Sequence, residues 1–417
     1  MMNYASFGFS RNSMRAVVAL AFLLVPVVAS QPQPQQKHSI LNFFAIGDWG
    51  GVGSIPGAEF FIGVHQREVA DGMNKVAMDQ RPEFVVALGD NFYLKGISGQ
   101  QAFQRVEKTF ENVYNGAGLA RVPWYVIAGN HDHYGNVTEQ IHYTYYSRRK
   151  SKTEEGFHHR WEFPSLYHKR TITRGHLSVD LILIDTVDLV ESAFLLEPNA
   201  TAKSESLWDT WVRSPLGFTT EKEPPTTKQW QWLQKSLSDS TADYILVGGH
   251  YPVFSQGMHG PTKELVQHLK PLLEEYGAHY LSGHDHAMMH FQQNAPASGG
   301  VRYIVTGTGN ACCSWRRNKY RQEHEKDYKD VPLLWHLFHQ EKHHDNGLTI
   351  TGGFVSIQAT PLSMKVQYHA QDGSVLYRAE PIPPVPRRQQ SLPDGPTSKS
   401  ENMLTKDDKT KGNVAIE

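Results

Sequence analysis

From residue 39 onward the chain alternates short, nearly continuous apolar runs with longer stretches in which apolar residues return every three or four positions. The short runs, at 40–46, 84–88, 122–128, 177–184, 244–247 and 279–281, have the length and composition of buried strands. Between them, 59–80 places Phe60, Val64, Met73, Val76 and Ala77 at broadly helical spacing. Residues 100–113, 226–237 with its two tryptophans, and 261–276 with Pro261 in its first turn also predict helices. Further strands at 301–306, 353–359 and 364–369 close the series. Strands alternating with helices, then more strands, predict an α/β fold: a four-layer α/β/β/α sandwich of mixed β-sheets flanked by helices.

Three stretches break this rhythm and are expected as surface insertions, near 147–159, 188–225 and 314–345. The ends differ from the middle. Arg11 and Arg15 precede an apolar run at 16–29, and Val28-Ala29-Ser30 supplies small residues where a signal peptidase cuts, so 1–30 is expected to be a signal peptide. That run is shorter than the roughly 18 residues of a spanning helix, which argues against a stable membrane anchor. Residues 31–38 form a short polar linker, 39–382 one domain, and 383–417, rich in Pro, Gln, Ser, Lys and Asp, a disordered polar tail. The expected location is the secretory pathway, secreted or lysosomal/vacuolar. The sequons at Asn136 and Asn199 fit a glycoprotein.

Composition excludes some functions. The 417 residues carry a formal net charge of -1, with no concentrated basic stripe, so no nucleic-acid partner is expected. The two cysteines, Cys312 and Cys313, are adjacent; a strained vicinal disulfide and two buried thiols are both open, and neither provides a disulfide framework.

Metal-ligand residue types recur where the apolar runs end. Asp48, Asp90, Asn130, His250, His284 and His286 each follow one within a few residues, with a glycine at or near each to form the turn. In α/β sheets the carboxyl ends of strands open into the crevice where ligands bind. Singly, each is ordinary turn or structural chemistry; matches at five strand ends in order point to a two-metal hydrolase.

In this order the motifs resemble the calcineurin-like metallophosphoesterase superfamily, and Tyr93 after Asp90 narrows the resemblance to purple acid phosphatases. The segments GNHDHYGNV from Gly129 and GHYPV from Gly249, followed by His259-Gly260-Pro261-Thr262, are similar to the small, mammalian-type tartrate-resistant branch. The similarity spans roughly 41–380. It implies a metallophosphoesterase-like fold and a phosphoric monoester hydrolase using a dinuclear centre of Fe(III) plus a divalent ion, Fe(II), Zn(II) or Mn(II). Asp48, Asp90, Tyr93 and His286 would hold the ferric ion, and Asp90 would bridge to a divalent ion held by Asn130, His250 and His284. The donor types agree, with carboxylates and phenolate suiting Fe(III) and imidazoles with an amide oxygen suiting the divalent ion.

By the same resemblance, metal-bound hydroxide is the nucleophile, and His131 and His259 bind phosphate and protonate the leaving group. Imidazoles charge at acidic pH, as an acid phosphatase requires, and Asp132 is expected to support His131. Phosphate monoesters, small molecules or phosphoproteins, are the expected substrates, and a monomer is favoured. The 188–225 stretch falls where mammalian relatives carry a loop whose proteolysis raises activity, but it has no cysteine, so control by cleavage and a plain insertion both stay open. The competing readings are a dimetal phosphodiesterase or nucleotide hydrolase, and an iron-binding redox-active or phosphate-binding protein without turnover.

Overall fold

β1 (Leu41–Ile46) shows how the strands organise the molecule. Leu41, Phe43 and Ala45 face a core shared with the second sheet, whereas Phe44 and Ile46 face a separate core under helices. Both faces are buried, which is why the strand reads as a continuous apolar run. The computed structural model describes residues 39–51, 59–196, 226–294, 300–312, 329–337 and 349–385.

The elements follow in order. α1 (Glu59–Gln80), β2 (Phe84–Ala87) and α2 (Ala102–Val106, running on as a π-helical turn over Glu107–Glu111) precede β3 (Trp124–Val126). Then come α3 (Asn130–His133), α4 (Val137–Thr153), β4 (Trp161–Glu162), β5 (His168–Arg174), β6 (Leu177–Leu183) and α5 (Thr186–Ser192). The second half contains α6 (Lys228–Ser238), β7 (Tyr244–Gly248), a π turn (Leu265–Leu269) leading into α7 (Lys270–Tyr276), and β8 (His279–Ser282). It closes with β9 (Met288–Gln292), β10 (Arg302–Thr306), β11 (Leu333–Leu337), β12 (Gly353–Ala359), β13 (Met364–Ala370) and β14 (Val375–Arg378).

Two seven-stranded mixed sheets result, ordered β14-β13-β12-β1-β2-β3-β4 and β11-β9-β10-β8-β7-β6-β5. β1 to β4 pair in parallel in the first, and β10, β8, β7 and β6 in the second. The inner faces pack on each other through residues such as Phe43, Val86, Leu181 and Leu246. Val69, Met73 and Phe110 cover one outer face, and Trp230, Leu233 and Leu273 the other. This is the α/β/β/α sandwich expected from the pattern. At the carboxyl ends of the parallel strands the two sheets touch: Gly47 N–H donates to the Thr306 carbonyl at 2.9 Å, and Gly309 N–H donates to the Gly47 carbonyl at 2.9 Å.

Of the stretches expected as insertions, 147–159 begins inside α4, and 188–225 begins with α5 and a 3₁₀ turn over Ala193–Leu196. The stretch 314–345 contains β11, LLWHL, whose four apolar residues are hidden in a polar average. The expected leader and linker, residues 197–225 with Asn199, and most of the tail lie outside the described residues. So does Cys313; Cys312 is disulfide-bonded. Among the described residues, no helix is long and apolar enough to cross a membrane.

Candidate metal centre

The loops after β1 and β2 are joined along their backbones. Asp48 N–H donates to the Gly89 carbonyl at 3.0 Å and Gly50 N–H to the Asp90 carbonyl at 3.2 Å. Asp48 and Asp90 stand side by side, both buried. Asp48, Asp90 and His284 hold φ of 57°, 52° and 68°, the left-handed region that costs a non-glycine residue about 1–3 kcal/mol. The glycines expected to form these turns do so only at Gly89; elsewhere the ligand-type residues themselves carry the left-handed backbone. Gly283 and Gly129 contribute space instead. A Cβ on Gly283 would sit 2.4 Å from Asp48 Oδ2, and one on Gly129 would sit 2.2 Å from Asp90 Oδ1.

One group of donors gathers on Asp48. Tyr93 Oη donates to Asp48 Oδ1 at 2.9 Å and lies 3.0 Å from His286 Nε2, which is 3.4 Å from Asp48 Oδ1. The His284 backbone N–H donates to Asp48 Oδ2 at 2.7 Å. A second group gathers on Asp90, where His250 Nε2 lies 3.4 Å from Asp90 Oδ1 and 3.0 Å from Asn130 Oδ1. The His284 ring packs on His250, centroids 5.0 Å apart. Ligand atoms of Asp48, Asp90 and His250 all fall within 4.8 Å of one another, so the groups adjoin. The structure thus brings together all seven sequence-selected donors.

The surroundings prepare these donors. The His250 Nδ1–H donates to the Leu88 carbonyl at 2.8 Å, leaving the Nε2 lone pair facing the centre, as metal ligation requires. Burial pushes the Asp48 carboxyl up, but the His286 hydrogen bond and the fields of His250, His286 and His284 outweigh it and hold the group below the carboxylate range. Burial pushes Asp90 upward, aided by the charge of Asp48. Burial and the same two carboxylates raise the Tyr93 phenol far above its ordinary value. Burial, then the charges of His250 and His259, depress His284. Two buried carboxylates are costly without compensating cations, and a phenol, an amide oxygen and three imidazoles complete a donor set that fits a pair of metal ions.

His131 and His259 stand at the edge. The His131 N–H donates to Asp90 Oδ1 at 2.9 Å and its Nδ1–H to the Leu94 carbonyl at 2.7 Å, so Nε2 faces Asp90 from 4.0 Å. His259 is exposed, its ring centroid 4.2 Å from that of His284. Asp132, expected to support His131, bonds the backbone of the β2 loop and of the turn into α3. Its carboxylate accepts from the N–H groups of Gly129 at 2.8 Å, Asn91 at 3.0 Å and Phe92 at 3.2 Å, and from Gln140 Nε2 at 2.8 Å. It therefore ties α3 to the β2 loop, and burial with the nearby Asp90 charge raises it to about 6.

Two further carboxylates escaped the sequence reading. Asp285, between His284 and His286, accepts from His259 N–H at 3.0 Å and from the Ser255 hydroxyl, which positions the His259 loop. Asp185 follows β6 as Asp48 follows β1, but after Ile184 rather than a glycine, and the glycine signal therefore passed it over.

Residues 41–288 match the calcineurin-like phosphoesterase family model. Tartrate-resistant acid phosphatase type 5 from rabbit (Oryctolagus cuniculus) is 35% identical over 83% of this chain and 92% of its own length. The Homo sapiens protein of the same name is 33% identical over 89% and 98%. Purple acid phosphatase 7 of Arabidopsis thaliana is 28% identical over 84% and 88%. Among solved structures, GAP50, the anchor in the inner membrane complex of Plasmodium, aligns with a TM-score of 0.58 at 21% identity over 83% of this chain and 89% of that one, a likeness of fold.

Proposed function

The chain belongs to the calcineurin-like phosphoesterase family, and from that membership we propose that it is a purple acid phosphatase of the tartrate-resistant type, hydrolysing phosphate monoesters. The observation that carries the reading is the meeting of Asp48, Tyr93 and His286 with Asp90, Asn130 and His250, and of His284 against His250, at one edge of both sheets. In this reading Asp48, Asp90, Tyr93 and His286 hold Fe(III), and Asp90, Asn130, His250 and His284 hold Fe(II), Zn(II) or Mn(II). When bound, such a pair polarises the phosphoryl group and activates an attacking water.

The chain's own groups do the rest. The Leu94 carbonyl accepts the Nδ1–H of His131, which aims Nε2 so that an N–H there can donate to the phosphate beside Asp90. Asp285 fixes the backbone of His259 on the open side of the centre, where its imidazole can deliver a proton to the departing alkoxide. Positioned proton transfer of this kind contributes about 10²–10⁴-fold. His131→Ala and His259→Ala are accordingly expected to lower kcat by about that range with metal content intact.

The test is turnover of p-nitrophenyl phosphate, a phosphodiester and ATP across acid to neutral pH. Preference for the monoester at acid pH supports the reading. Preference for the diester or ATP would move the chain to phosphodiesterase or nucleotide hydrolase activity, and phosphate binding without turnover would make it a binding protein. The apolar run at 16–29 and the acid phosphatase relatives support entry into the secretory pathway, with a secreted or lysosomal destination.

A further inference from the structure

The turn between β6 and α5 supplies none of the candidate ligands, yet it grips both backbone segments that carry Asn130 and His250. Its first grip is Asp185, fully buried, whose Oδ2 accepts the Nε2 proton of His133 at 2.8 Å. His133 sits on α3, the single helical turn that begins with Asn130 and His131. Asp185 is itself held rigidly. Its Oδ1 accepts from Val187 N–H at 3.0 Å and Asp188 N–H at 3.2 Å, capping α5. Gln229 of α6 bonds both backbone groups of Asp185, accepting from its N–H at 2.8 Å and donating to its carbonyl at 3.1 Å.

The second grip is Thr186, also fully buried, whose Oγ1 accepts the N–H of Tyr251, the residue after His250, at 2.9 Å. On the other side of His250, a Cβ on Gly249 would meet Thr186 Cγ2 at 2.6 Å, so that glycine lies hard against the same side chain. Tyr280 Oη completes the hold by donating to the Tyr251 carbonyl at 2.7 Å. His250 is thus bracketed before and after by contacts to Thr186, and α3 is tied to the residue preceding it. Asn130 comes from the first sheet and His250 from the second, and His250 Nε2 lies 3.0 Å from Asn130 Oδ1. Their separation depends on how the two sheets' loops are joined. Asp48 is held by a different set of groups, Tyr93, His286 and the His284 backbone.

We propose that Asp185 and Thr186, acting through His133 and Tyr251, form a two-armed clamp that positions Asn130 and His250 and so sets the affinity of the divalent half of the centre. The proposal rests on the dinuclear phosphatase reading above. Supporting partners around a metal ligand change metal affinity about 10–100-fold when removed. The clamp should act at that scale on one metal and leave the other alone, since Asp48 is organised by Tyr93, His286 and the His284 backbone.

The experiment titrates Zn(II) into iron-loaded wild-type protein and into His133→Ala, His133→Gln and Thr186→Val, with iron content and the visible spectrum read in parallel. His133→Ala and Thr186→Val are expected to bind Zn(II) about 10–100-fold more weakly with iron and the visible band retained. At saturating Zn(II), kcat should return to near the wild-type value. His133→Gln, which keeps a donor for Asp185, should recover most of the affinity. Zn(II) affinity within twofold of wild type in both His133→Ala and Thr186→Val overturns the clamp, as does loss of iron together with Zn(II). Wild-type protein that takes up iron but no Zn(II), Mn(II) or Fe(II) overturns the dinuclear reading and the clamp with it, an outcome distinct from a failure confined to the variants.

Discussion

Asp285 illustrates how one buried carboxylate can serve chemistry it does not perform. It lies between two imidazoles that face the centre, yet its oxygens are taken up by Ser255 and the backbone of His259. Burial raises its affinity for a proton, and the hydrogen bonds counter that. Asp285→Ala removes the acceptor for the His259 N–H and for the buried Ser255 hydroxyl, at about 1–3 kcal/mol for the buried donor. It should also lower kcat about 10–100-fold through disorder of the His259 loop. Steady-state kinetics with metal analysis checks this: a fall in kcat with both metals retained is expected, and unchanged kcat would mean that the loop needs no anchor. The residue scale also explains why the candidate donors could be picked out in the sequence and the groups that hold them could not. Asp48, Asp90, Asn130, His250 and His284 each follow a glycine at a strand end. Asp185 and Thr186 follow an isoleucine, and their role depends on His133 and Tyr251, which are distant in the chain.

At the scale of elements, the buried strands were legible because both faces of each are covered, so periodicity collapses into an unbroken apolar run. β4, with two residues, and β5, HKRTITR at the margin of the second sheet, were not legible, since little apolar surface marks them. α4 was missed for a related reason: VTEQIHYTYYSRRKSKT carries its buried positions on Val137, Gln140, Tyr143, Thr144 and Ser147, which are mostly polar or amphipathic. Nor could the pairing of β1 with β12, Leu41 opposite Ala359, be read from local pattern. What holds the β1 loop beside the first sheet's helices is an aromatic cluster. Trp49, fully buried, packs on Phe92, Phe110, Tyr114, Trp124 and Trp161 with centroids 5.6–6.1 Å apart. Trp49→Ala is expected to cost about 3–5 kcal/mol. Because Trp49 adjoins Asp48, iron should be lost at lower urea than in the wild type. Urea unfolding followed by fluorescence and by the visible band checks both.

Across the whole molecule, buried histidines shape how stability responds to acid, and two of them share the same cause. His279 and His290 are buried at strand positions, and burial, then the charge of Arg302, depresses each to about 3. A histidine depressed in the folded state binds more protons when unfolded. Its contribution is therefore complete above the unfolded value near 6.5 and is lost as pH falls from there toward 3. The slope is about 1.4 kcal/mol per pH unit for each. Asp132, raised to about 6, acts in the opposite sense between about 6 and its unfolded value, so the difference between wild type and His279→Asn isolates the histidine. The variant should lose less stability than wild type between pH 6.5 and 4; parallel curves would contradict this. The same two-sheet body brings the candidate donors together, and the proposed centre turns on whether the Tyr93 phenolate binds ferric iron. The direct measurement is metal content with the visible spectrum of purified wild type and Tyr93→Phe. A purple protein with iron and a second metal is expected, its band abolished or strongly shifted in Tyr93→Phe; a colourless, iron-free wild type, or a band indifferent to Tyr93→Phe, would rule out the Tyr93–iron bond.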